Sequence, residues 1–287
     1  MKAGVIGLGA MGWGMAANLA GADHLGAVWN RTRARAEQFG EDHDGVLVAD
    51  DPGTVAAACE VILTSVSADP DVLGVVDALL PSLAPGKVVV ETSTVAADTA
   101  REAAGRVRGA GAEFLDAPVS GGVEGARQGT MVMMVGGEEA VLERIRPVLS
   151  LISASATWMG PVGAGQATKA VNQLMAAGII QAVTEALGFG AREGLDLERV
   201  IEVLSGGAAG SWFLSHRGPT MAQGRFAPGF KVALHRKDLE IVRAMLESHG
   251  CSSDLVERTL ADYDRLTAEG YGEEDISALY RLKRPTP

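Results

Sequence analysis

Short apolar runs alternate with helix-like segments over the first 160 or so residues, and this alternation restricts the possible fold more than any other feature. The runs that predict strands are residues 3–6, 26–29, 46–48, 61–65, 88–91, 113–115 and 131–135. Segments such as 11–20 and 99–108 have the composition and length of helices. Strands that alternate with helices need crossover connections, which predicts a largely parallel, doubly wound sheet covered on both faces.

The pattern changes after residues 160–163, because no further strand-like run with turn residues follows. From residue 166 to about 192 the sequence is apolar nearly all round. It predicts a helix of about 40 Å that is buried on every side. Helical patterns continue at 197–204, 239–249 and 253–268. We therefore expect an α/β domain over residues 1–160 and an all-helical domain over residues 161–287.

Composition and charge exclude several classes of partner. The formal charge is −11 and no basic run is present, which argues against nucleic acid and anionic membranes. The two cysteines, Cys59 and Cys251, are far apart and are interpreted as reduced thiols. The strand pattern begins at residue 3, without room for a signal peptide, and apolar runs such as 174–180 are shorter than the roughly 20 residues of a membrane span. We expect a cytoplasmic protein.

A glycine-rich turn lies between the first predicted strand and the first predicted helix. It consists of Gly7, Leu8, Gly9, Ala10, Met11 and Gly12. In a dinucleotide-binding turn the first glycine permits the bend, the second lets the backbone approach a pyrophosphate, and the third allows close helix packing. The phosphates then lie at the helix N-terminus. The strand-turn-helix context predicts a Rossmann-type domain that binds a dinucleotide through these six residues.

The residues at the end of the second predicted strand indicate which dinucleotide binds. Asn30, Arg31 and Thr32 begin eighteen residues after Gly12, where an NAD-selective domain usually has an acidic residue for the ribose 2′-hydroxyl. A guanidinium and a hydroxyl suit a 2′-phosphate instead. We expect NADP(H) to be preferred, with NAD(H) possible and Arg31 as the main discriminator. The alternative is a solvated helix start with Thr32 as its N-cap.

A serine and two glycines after a predicted strand are the first candidates for substrate binding. Ser120, Gly121 and Gly122 are expected near the carboxyl edge of the sheet, where ligands bind in open α/β folds. The hydroxyl and the neighbouring backbone N–H groups could donate several hydrogen bonds to a carboxylate. The alternative is an ordinary glycine turn.

Lys169 and Asn172 are further candidates, because they lie three residues apart at the start of the long predicted helix and share one face. Gln166 and Gln173 occupy neighbouring positions. An ammonium in the first turn opposes the helix macrodipole and lies in an apolar element, which is unfavourable for stability and indicates a functional role. The alternative is a lysine that extends from the helix end to solvent.

A polar cluster at residues 235–239 heads a later helical pattern. Lys237 could reach a ligand, and Asp238 could serve as an N-cap or as an ion-pair partner. A solvated charge run is the alternative. The five histidines have no metal-ligand spacing, and no Ser/His/Asp or Cys/His arrangement is suggested, so we expect no metal.

Several ordered motifs resemble the β-hydroxyacid dehydrogenases, which include 3-hydroxyisobutyrate dehydrogenase, tartronate semialdehyde reductase and glyoxylate/succinic semialdehyde reductases. The matching segments are residues 5–19, 91–94, 116–122, 165–172, 226–230 and 234–239. The resemblance implies that Lys169 is the catalytic residue. It implies substrate-binding roles for Ser120, Gly121, Gly122 and Asn172. It implies that Val66, Ser67, Thr94 and Lys237 line the cofactor site.

The resemblance also implies an N-terminal Rossmann domain and a helical C-terminal domain that supports homodimers or homotetramers through the long helix. Two positions depart from the family pattern: Glu91 replaces the usual aspartate, and a common proline near Ser253 is missing. Residues 206–211 and 226–230 look most like the tartronate semialdehyde reductases, and residues 30–32 are similar to NADPH-using semialdehyde reductases. Imine reductases share the architecture but usually replace the lysine, so Lys169 counts against them.

These observations predict an oxidoreductase that interconverts a small β-hydroxyacid and its semialdehyde, of the 2-hydroxy-3-oxopropionate (tartronate semialdehyde) type, with Lys169 as general acid and base. The ligand would be a small anionic carbonyl or hydroxy acid. Alternative substrates are 3-hydroxyisobutyrate, a β-hydroxy amino acid and glyoxylate or succinic semialdehyde. An alternative of another class is a non-catalytic NADP(H)-sensing protein, which would be expected to lack the lysine or the carboxylate loop.

Overall fold

The protein folds into two compact units, Met1–Lys169 and Ala170–Pro287. The structure is a computed structural model that describes residues 1–284. Apolar side chains pack on both faces of a sheet in the first unit and among helices in the second. Each unit therefore has a hydrophobic core of its own.

The first unit is built around a nine-stranded sheet. The strands are β1 (Ala3–Ile6), β2 (Leu25–Trp29), β3 (Leu47–Val48), β4 (Val61–Thr64), β5 (Val88–Glu91), β6 (Glu113–Asp116), β7 (Val119–Ser120), β8 (Met131–Gly136) and β9 (Ser153–Gly160). The helices are α1 (Ala10–Gly21), α2 (Arg33–Asp42), α3 (Pro52–Ala58), α4 (Asp69–Leu79), α5 (Ala97–Gly109), α6 (Gly122–Gln128) and α7 (Glu139–Leu149). A short 3-10 helix, Leu80–Ser82, follows α4.

Six neighbouring strands are parallel, in the order β3-β2-β1-β4-β5-β6. This order reverses between β1 and β4, and open α/β folds bind ligands in the crevice at the carboxyl ends of strands on either side of such a reversal. The predicted α/β fold with a Rossmann-type, doubly wound sheet is confirmed. Strand β8 is antiparallel to β6 and β7 and parallel to β9, so the sheet is mixed at one side.

The carboxyl ends of the central parallel strands are aligned in register. Ile6 of β1 pairs with Thr64 of β4, Thr64 pairs with Glu91 of β5, and Glu91 pairs with Asp116 of β6. Strands β1, β4 and β5 are buried at every residue, because helices cover both faces of the sheet. Three polar side chains therefore form a buried row at the edge where the ligand crevice lies.

The sequence patterns predict seven of these strands but miss β7 and β9. Strand β7 has only two residues, which is too short for a periodic signal. Strand β9 consists mostly of small residues, SASATWMG, and several of its positions are exposed. It pairs with β8 alone, so it lacks the apolar run that marks a central strand.

The second unit is helical over its described residues, 170–284. Helix α8 (Ala164–Arg192) begins in the first unit and continues into the second. The remaining helices are α9 (Leu197–Ser205), α10 (Trp212–Ala222), α11 (Val232–Ser248), α12 (Asp254–Ala268) and a 3-10 helix, Ile276–Leu282. Tyr263 of α12 is fully buried in the core of this unit. The predicted helical C-terminal region is confirmed for these residues.

Helix α8 is not buried on every side, so that part of the prediction is wrong. Val171 is 59% exposed and Met175 is 63% exposed. Together with the exposed Ile179 they are spaced four residues apart and form one apolar stripe. By length and composition alone the helix could also span a membrane, as could the core helices of many soluble proteins, and 44% of its most apolar stretch is buried. The short apolar runs in the sequence, such as 174–180, underestimate the length of this apolar helix, because glycine, threonine and glutamine interrupt them.

Helix α11 begins earlier than the sequence pattern indicates. It starts at Val232, so Asp238 lies in its interior and cannot be its N-cap. His235 and Asp238 are 0% and 4% exposed, which excludes a solvated charge run at these two positions. The ion-pair alternative for Asp238 is confirmed, since the Lys237 ammonium lies 3.1 Å from its carboxylate. The N-cap and the solvated run are wrong because these polar residues face the inside of the unit, where they have hydrogen-bond partners, and polarity alone does not report direction.

Candidate active site

In the glycine turn after β1, backbone atoms leave no room for a side chain at Gly7 and Gly12, whereas the space beside Gly9 is free. A Cβ on Gly7, which has a φ of +92°, would lie 2.1 Å from the carbonyl oxygen of Ser65. A Cβ on Gly12 would lie 1.8 Å from the carbonyl oxygen of Gly7. A Cβ on Gly9 would meet nothing within 4 Å. This open position directly precedes α1, so the turn fits a pyrophosphate at the helix N-terminus.

Asn30, at the end of β2, supports the glycine turn rather than projecting away from it. Its Oδ1 accepts a hydrogen bond from the backbone N–H of Leu8, at 2.9 Å. The side chain of the next residue, Arg31, is 79% exposed and forms an ion pair with Asp71 at 2.8 Å. Thr32 occupies the N-cap position of α2 but makes no side-chain capping bond. The Arg31 guanidinium and the Thr32 hydroxyl are thus not committed to the helix start.

A cavity of about 430 Å³ beside the glycine turn was not indicated by the sequence. Its lining includes Gly9, Ala10, Trp13, Arg35, Gln38 and Arg127. The Arg35 guanidinium lies 5.8 Å from the centre of the Trp13 ring, which holds it by a cation–π contact. Two guanidiniums next to an open helix N-terminus make this a favourable place for an anionic group. The sequence signal for Arg35 is the run of alternate arginines, Arg31, Arg33 and Arg35, which continues into the first turn of α2.

Glu91 organises the loops that follow β4 and β5. Its carboxylate is buried and accepts hydrogen bonds from the hydroxyl of Thr64 and, at 2.7 Å, from the backbone N–H of Ser93. The Ser93 hydroxyl in turn accepts from the backbone N–H of Val66 at 2.8 Å. Glutamate in place of the family's usual aspartate is therefore fully accommodated. The loop residues predicted to line a cofactor site, Val66, Ser67 and Thr94, follow these two strands at the carboxyl edge of the sheet.

Asp116, at the end of β6, fixes the start of α8. Its carboxylate accepts hydrogen bonds from the backbone N–H groups of Gly163 at 2.8 Å and Gln166 at 2.9 Å. Burial raises the pKa of the Asp116 carboxyl, while those backbone hydrogen bonds oppose the rise. A carboxylate at these N–H groups also complements the positive end of the helix macrodipole. The sequence contains this aspartate in a motif that resembles the family, but its capping function was not predicted.

The Gln166 side chain ties the first turn of α8 to the loop after β5. Its Nε2 donates to the carbonyl oxygen of Ser93 at 2.8 Å, and its Oε1 accepts from the backbone N–H of Val95 at 3.2 Å. Gln166 is only 2% exposed, so these backbone partners replace water. The turn of α8 that precedes Lys169 is thereby held at two points of the first unit.

Lys169 points into the first unit and not into solvent. It is 7% exposed, and its Nζ donates to the carbonyl oxygen of Val119 at 2.8 Å. Val119 directly precedes Ser120 in β7, and Gly121 and Gly122 follow with φ values of +133° and +62°. The alternative of a lysine extending to solvent is excluded by this burial. The predicted lysine and the predicted carboxylate-binding loop are thus brought together within one unit.

The second unit contains a separate chain of polar side chains. Asn172 Nδ2 donates to Gln173 Oε1 at 2.8 Å, and Gln173 Nε2 donates to Asp238 Oδ2 at 2.6 Å. The Lys237 ammonium lies 3.1 Å from the other oxygen of Asp238. Lys237 is thereby placed beside Asp238, and Asn172 at the opposite end of the chain. The sequence places Gln173 next to Asn172 but does not predict its link to Asp238.

A buried histidine–tyrosine pair supports this chain. His235 Nδ1 lies 2.9 Å from the Tyr263 hydroxyl, and its Nε2 lies 3.3 Å from the carbonyl oxygen of Gln173. Burial raises the pKa of Tyr263 well above its usual range, so the phenol keeps its proton. Across residues 1–284 no group of three or more His, Cys, Asp or Glu side chains is arranged to hold a metal ion.

Two family models match the chain, one for each region. Residues 2–160 match the NAD binding domain of 6-phosphogluconate dehydrogenase. Residues 163–283 match a domain described as NAD-binding of NADP-dependent 3-hydroxyisobutyrate dehydrogenase. The match therefore extends over nearly the whole chain and includes both the glycine turn and the helix that carries Lys169.

Relatives with assigned activities in their names are similar over almost their entire length. The chain is 36% identical to 2-hydroxy-3-oxopropionate reductase from Escherichia coli, with 97% of this chain and 96% of that protein covered. It is 32% identical to the NAD-dependent L-serine dehydrogenase of Pseudomonas aeruginosa, with 98% and 97% covered. The structure of Mycobacterium tuberculosis 3-hydroxyisobutyrate dehydrogenase with L-serine superimposes with a TM-score of 0.89, at 30% identity and with 99% of both chains covered.

Proposed function

This chain belongs to the β-hydroxyacid dehydrogenase family, and from that premise we propose that it interconverts a small β-hydroxyacid and its semialdehyde, of the 2-hydroxy-3-oxopropionate type, with NADP(H). Family membership makes it an NAD(P)-dependent oxidoreductase and sets aside the non-catalytic alternative. The observation that carries the proposal is the buried Lys169 amine, 2.8 Å from the main chain that adjoins Ser120.

Lys169 is the proposed general acid and base. When bound, the nicotinamide cofactor supplies or accepts the hydride. Reduction of a semialdehyde builds negative charge on the carbonyl oxygen, and a positioned ammonium both stabilises and protonates that oxygen. In the direction of oxidation the amine takes the hydroxyl proton. Because Lys169 is buried and held at the Val119 carbonyl, its proton is presented from a defined position.

The loop after β7 is the proposed carboxylate site. Ser120 supplies a hydroxyl, and the positive φ values of Gly121 and Gly122 allow a turn in which consecutive backbone N–H groups can converge on an anion. Asn172, three residues after Lys169 on α8, is proposed to orient the substrate. In a small acid whose carbonyl group lies near the carboxylate, the carboxylate could reach the donors of this loop while the negative charge that develops on the carbonyl oxygen lies near Lys169. This requirement matches short semialdehydes rather than extended substrates.

NADPH is proposed as the preferred cofactor. Asn30 at the end of β2 is occupied by the Leu8 N–H, and no carboxylate stands at residues 30–32 to bind a ribose 2′-hydroxyl. The Arg31 ion pair with Asp71 is exposed, and exposed pairs contribute only about 0–1 kcal/mol, so the guanidinium can exchange partners. Arg35 supplies a second cation beside the glycine turn. Val66, Ser67, Thr94 and Lys237 are proposed to contact the remainder of the cofactor.

L-Serine is the second candidate substrate. It is favoured by the similarity to a serine dehydrogenase and to a structure described with L-serine. Serine and a 2,3-dihydroxy acid share a carboxylate, a hydrogen-bond donor on C2 and a hydroxyl on C3. They differ in the charge of the C2 group. An assay that compares the two acids directly therefore separates the two candidates.

The deciding experiment is a steady-state panel that follows absorbance at 340 nm. In reduction with NADPH, we expect the highest kcat/KM for 2-hydroxy-3-oxopropionate and lower values for succinic semialdehyde and for the semialdehyde of 3-hydroxyisobutyrate. In oxidation with NADP⁺, we expect a higher kcat/KM for the 2,3-dihydroxy acid than for L-serine. NADH replaces NADPH in a second series, and Arg31→Ala in a third. Equal kcat/KM for the two nucleotides in the wild type would contradict the NADPH preference. A higher kcat/KM for L-serine would transfer the assignment to the amino acid.

A homodimer or homotetramer in the cytoplasm is proposed as the working form. The support is the exposed apolar stripe of Val171, Met175 and Ile179 on α8, since monomeric proteins rarely leave such a face in water. A second copy of the same helix would cover it symmetrically. Light scattering on the purified protein gives the subunit number, and a monomer at micromolar concentration would contradict the proposal.

A further inference from the structure

The hydrogen bond between Asn172 and Gln173 is unusual because adjacent residues on a helix do not face each other. Asn172 Nδ2 nevertheless lies 2.8 Å from Gln173 Oε1. Asn172 is partly exposed, whereas Gln173 is 2% exposed. The half-exposed amide is therefore attached to a fully buried one. This arrangement needs a partner that holds Gln173 from the other side.

Asp238 supplies that partner and fixes the direction of every hydrogen bond in the chain. Its carboxylate, paired with the Lys237 ammonium at 3.1 Å, offers only acceptors. Gln173 must therefore turn its NH₂ group to Asp238, and the two groups are 2.6 Å apart. Its Oε1 is then left to face Asn172. An amide that could otherwise flip between two orientations is restricted to one.

The same logic fixes Asn172. Because Gln173 presents an oxygen, Asn172 must present its NH₂ group to it. The Asn172 Oδ1 atom is then directed away from Gln173. The partly exposed end of this hydrogen-bonded chain is thus the Asn172 Oδ1 acceptor. The Asp238 carboxylate determines this orientation through Gln173.

The main chain of Gln173 is held as well. His235 Nε2 lies 3.3 Å from the Gln173 carbonyl oxygen, and His235 Nδ1 lies 2.9 Å from the Tyr263 hydroxyl. Because a carbonyl oxygen can only accept, this contact assigns the imidazole proton to Nε2, and Nδ1 is then the acceptor for the Tyr263 hydroxyl. Gln173 is therefore held at its backbone by His235 of α11, which Tyr263 of α12 orients, and at its side chain by Asp238. Rotation of the residue would break both contacts.

We propose that Gln173 is a positioning residue that transmits the hydrogen-bond polarity of Asp238 to Asn172, so that Asn172 presents its carbonyl oxygen to a hydroxyl or ammonium donor of the substrate. The proposal rests on the substrate-binding function proposed for Asn172. It assigns Gln173 and Asp238 a role that acts through Asn172 and not by contact with the reacting atoms. Substrates with a donor on C2 would benefit from this acceptor, whereas a methyl group there would not.

The test exchanges the amide and the carboxylate. In Gln173→Glu, two carboxylates face each other and the chain is disrupted, so kcat/KM should fall about 10- to 100-fold, the loss expected for one charge-assisted hydrogen bond. In Gln173→Glu combined with Asp238→Asn, the new amide at position 238 donates its N–H to the new carboxylate at position 173, which again offers an oxygen to Asn172. We expect kcat/KM of the double variant to return to within about threefold of wild type.

A matched variant separates polarity from folding. Gln173→Leu removes both hydrogen bonds at similar volume, and it should lower kcat/KM as Gln173→Glu does while the protein stays folded and NADPH affinity remains near that of wild type. Its Tm should fall by a few degrees, about as much as for other losses of one buried hydrogen bond, because the buried Asp238 carboxylate loses a partner. A double variant no more active than Gln173→Glu, although folded, would overturn the proposal. So would an unaltered kcat/KM in Gln173→Leu. A loss on Asn172→Ala without a loss on Gln173→Leu would leave the proposed function intact and exclude the relay.

A second readout does not depend on turnover. The side-chain NH₂ resonances of Asn172 in an ¹⁵N spectrum, assigned by their loss in Asn172→Ala, should show slow hydrogen exchange in the wild type because one N–H is bonded to Gln173. Exchange should become fast in Gln173→Leu and slow again in the double variant. Fast exchange in the wild type would overturn the proposal even if no substrate in the panel is turned over.

Discussion

The polar residues of the two units are held in different ways. In the first unit the candidate site is held mainly by backbone groups: Asp116 accepts from the N–H groups of Gly163 and Gln166, and Lys169 donates to a carbonyl oxygen. In the second unit the candidate residues are held largely by side chains, from Asn172 through Gln173 to Asp238. A backbone partner does not change when a side chain is substituted. A side-chain partner can be removed by a single mutation and restored by another.

This difference predicts where each unit is vulnerable. The first unit should be sensitive to changes that move the backbone or remove the group that the backbone holds. The second should be sensitive to the chemical identity of individual side chains, and compensating pairs of substitutions should recover function. Four measurements distinguish these behaviours, beginning with the residue whose loss should have the largest effect.

Lys169→Ala removes the proposed proton donor while leaving its backbone support in place. We expect kcat to fall about 10²- to 10⁴-fold, the usual contribution of a positioned general acid. NADPH affinity, measured by fluorescence titration, should change little, because the glycine turn does not involve this side chain. Lys169→Arg serves as the control, since a guanidinium keeps the charge but not the shape. Turnover of Lys169→Ala near that of the wild type would refute the catalytic assignment. The backbone-held residues of the first unit would then no longer include the proposed proton donor.

Gly12 and Gly9 provide a matched pair within the backbone-held turn. A methyl group at Gly12 would lie 1.8 Å from the Gly7 carbonyl oxygen, so Gly12→Ala should destabilise the first unit by roughly 3 kcal/mol or more. The same change at Gly9 meets nothing within 4 Å, so Gly9→Ala should fold with an unfolding free energy within about 0.5 kcal/mol of wild type. Its NADPH affinity should nevertheless fall about tenfold or more, because the methyl group occupies the approach to the pyrophosphate. Thermal unfolding and nucleotide titration of both variants give the answer. If Gly12→Ala and Gly9→Ala were equally stable, the close backbone contact at Gly12 would not be what holds the turn.

The sequence predicts the first unit well because the segments of its candidate site are short and local, and their backbone conformation follows from the residues within each segment. The glycine turn, the β2 end and the loop at residues 120–122 are contiguous segments, and their conformations follow from local glycine positions and strand alternation. The register that aligns Thr64, Glu91 and Asp116 follows from a parallel sheet. The capping contact of Asp116 with residues 163 and 166 was not predictable, because it joins segments about fifty residues apart.

The second unit is predicted less completely because its contacts are distant in sequence. Helix periodicity predicts that α11 and α12 exist, but Gln173 meets Asp238 across 65 residues and His235 meets Tyr263 across 28. Which polar side chain faces the core depends on helix rotation and packing, and a charged run with an internal aspartate has the same composition as a solvated one. The error at Asp238 and the error over the exposed face of α8 have this common origin.

Tyr263→Phe tests whether single side-chain contacts in the second unit matter individually. The variant keeps the ring in the core and removes only the hydroxyl that lies 2.9 Å from His235. We expect the free energy of unfolding to fall by about 1–2 kcal/mol, since the Nδ1 atom of the buried imidazole loses this hydrogen bond. Chemical denaturation monitored by circular dichroism measures the change. The companion variant Tyr280→Phe, at a tyrosine outside this pair, should change stability by less; a larger loss there would show that the His235 contact is not the sensitive point.

The two cysteines report on the units separately, because Cys59 is 2% exposed in the first and Cys251 is exposed in the second. Burial raises the pKa of the Cys59 thiol to about 11, so roughly one thiol in a thousand is ionised at pH 8. At that pH a disulfide reagent should label one thiol per chain quickly and the other only as the first unit opens. In Cys251→Ser, which leaves Cys59 alone, saturating NADPH at about 100 times its Kd should slow the labelling about 100-fold, since the nucleotide binds only the closed unit. Labelling of Cys59 that is fast, or indifferent to NADPH, would show that the backbone-held unit opens readily and would contradict the stability that the comparison assigns to it.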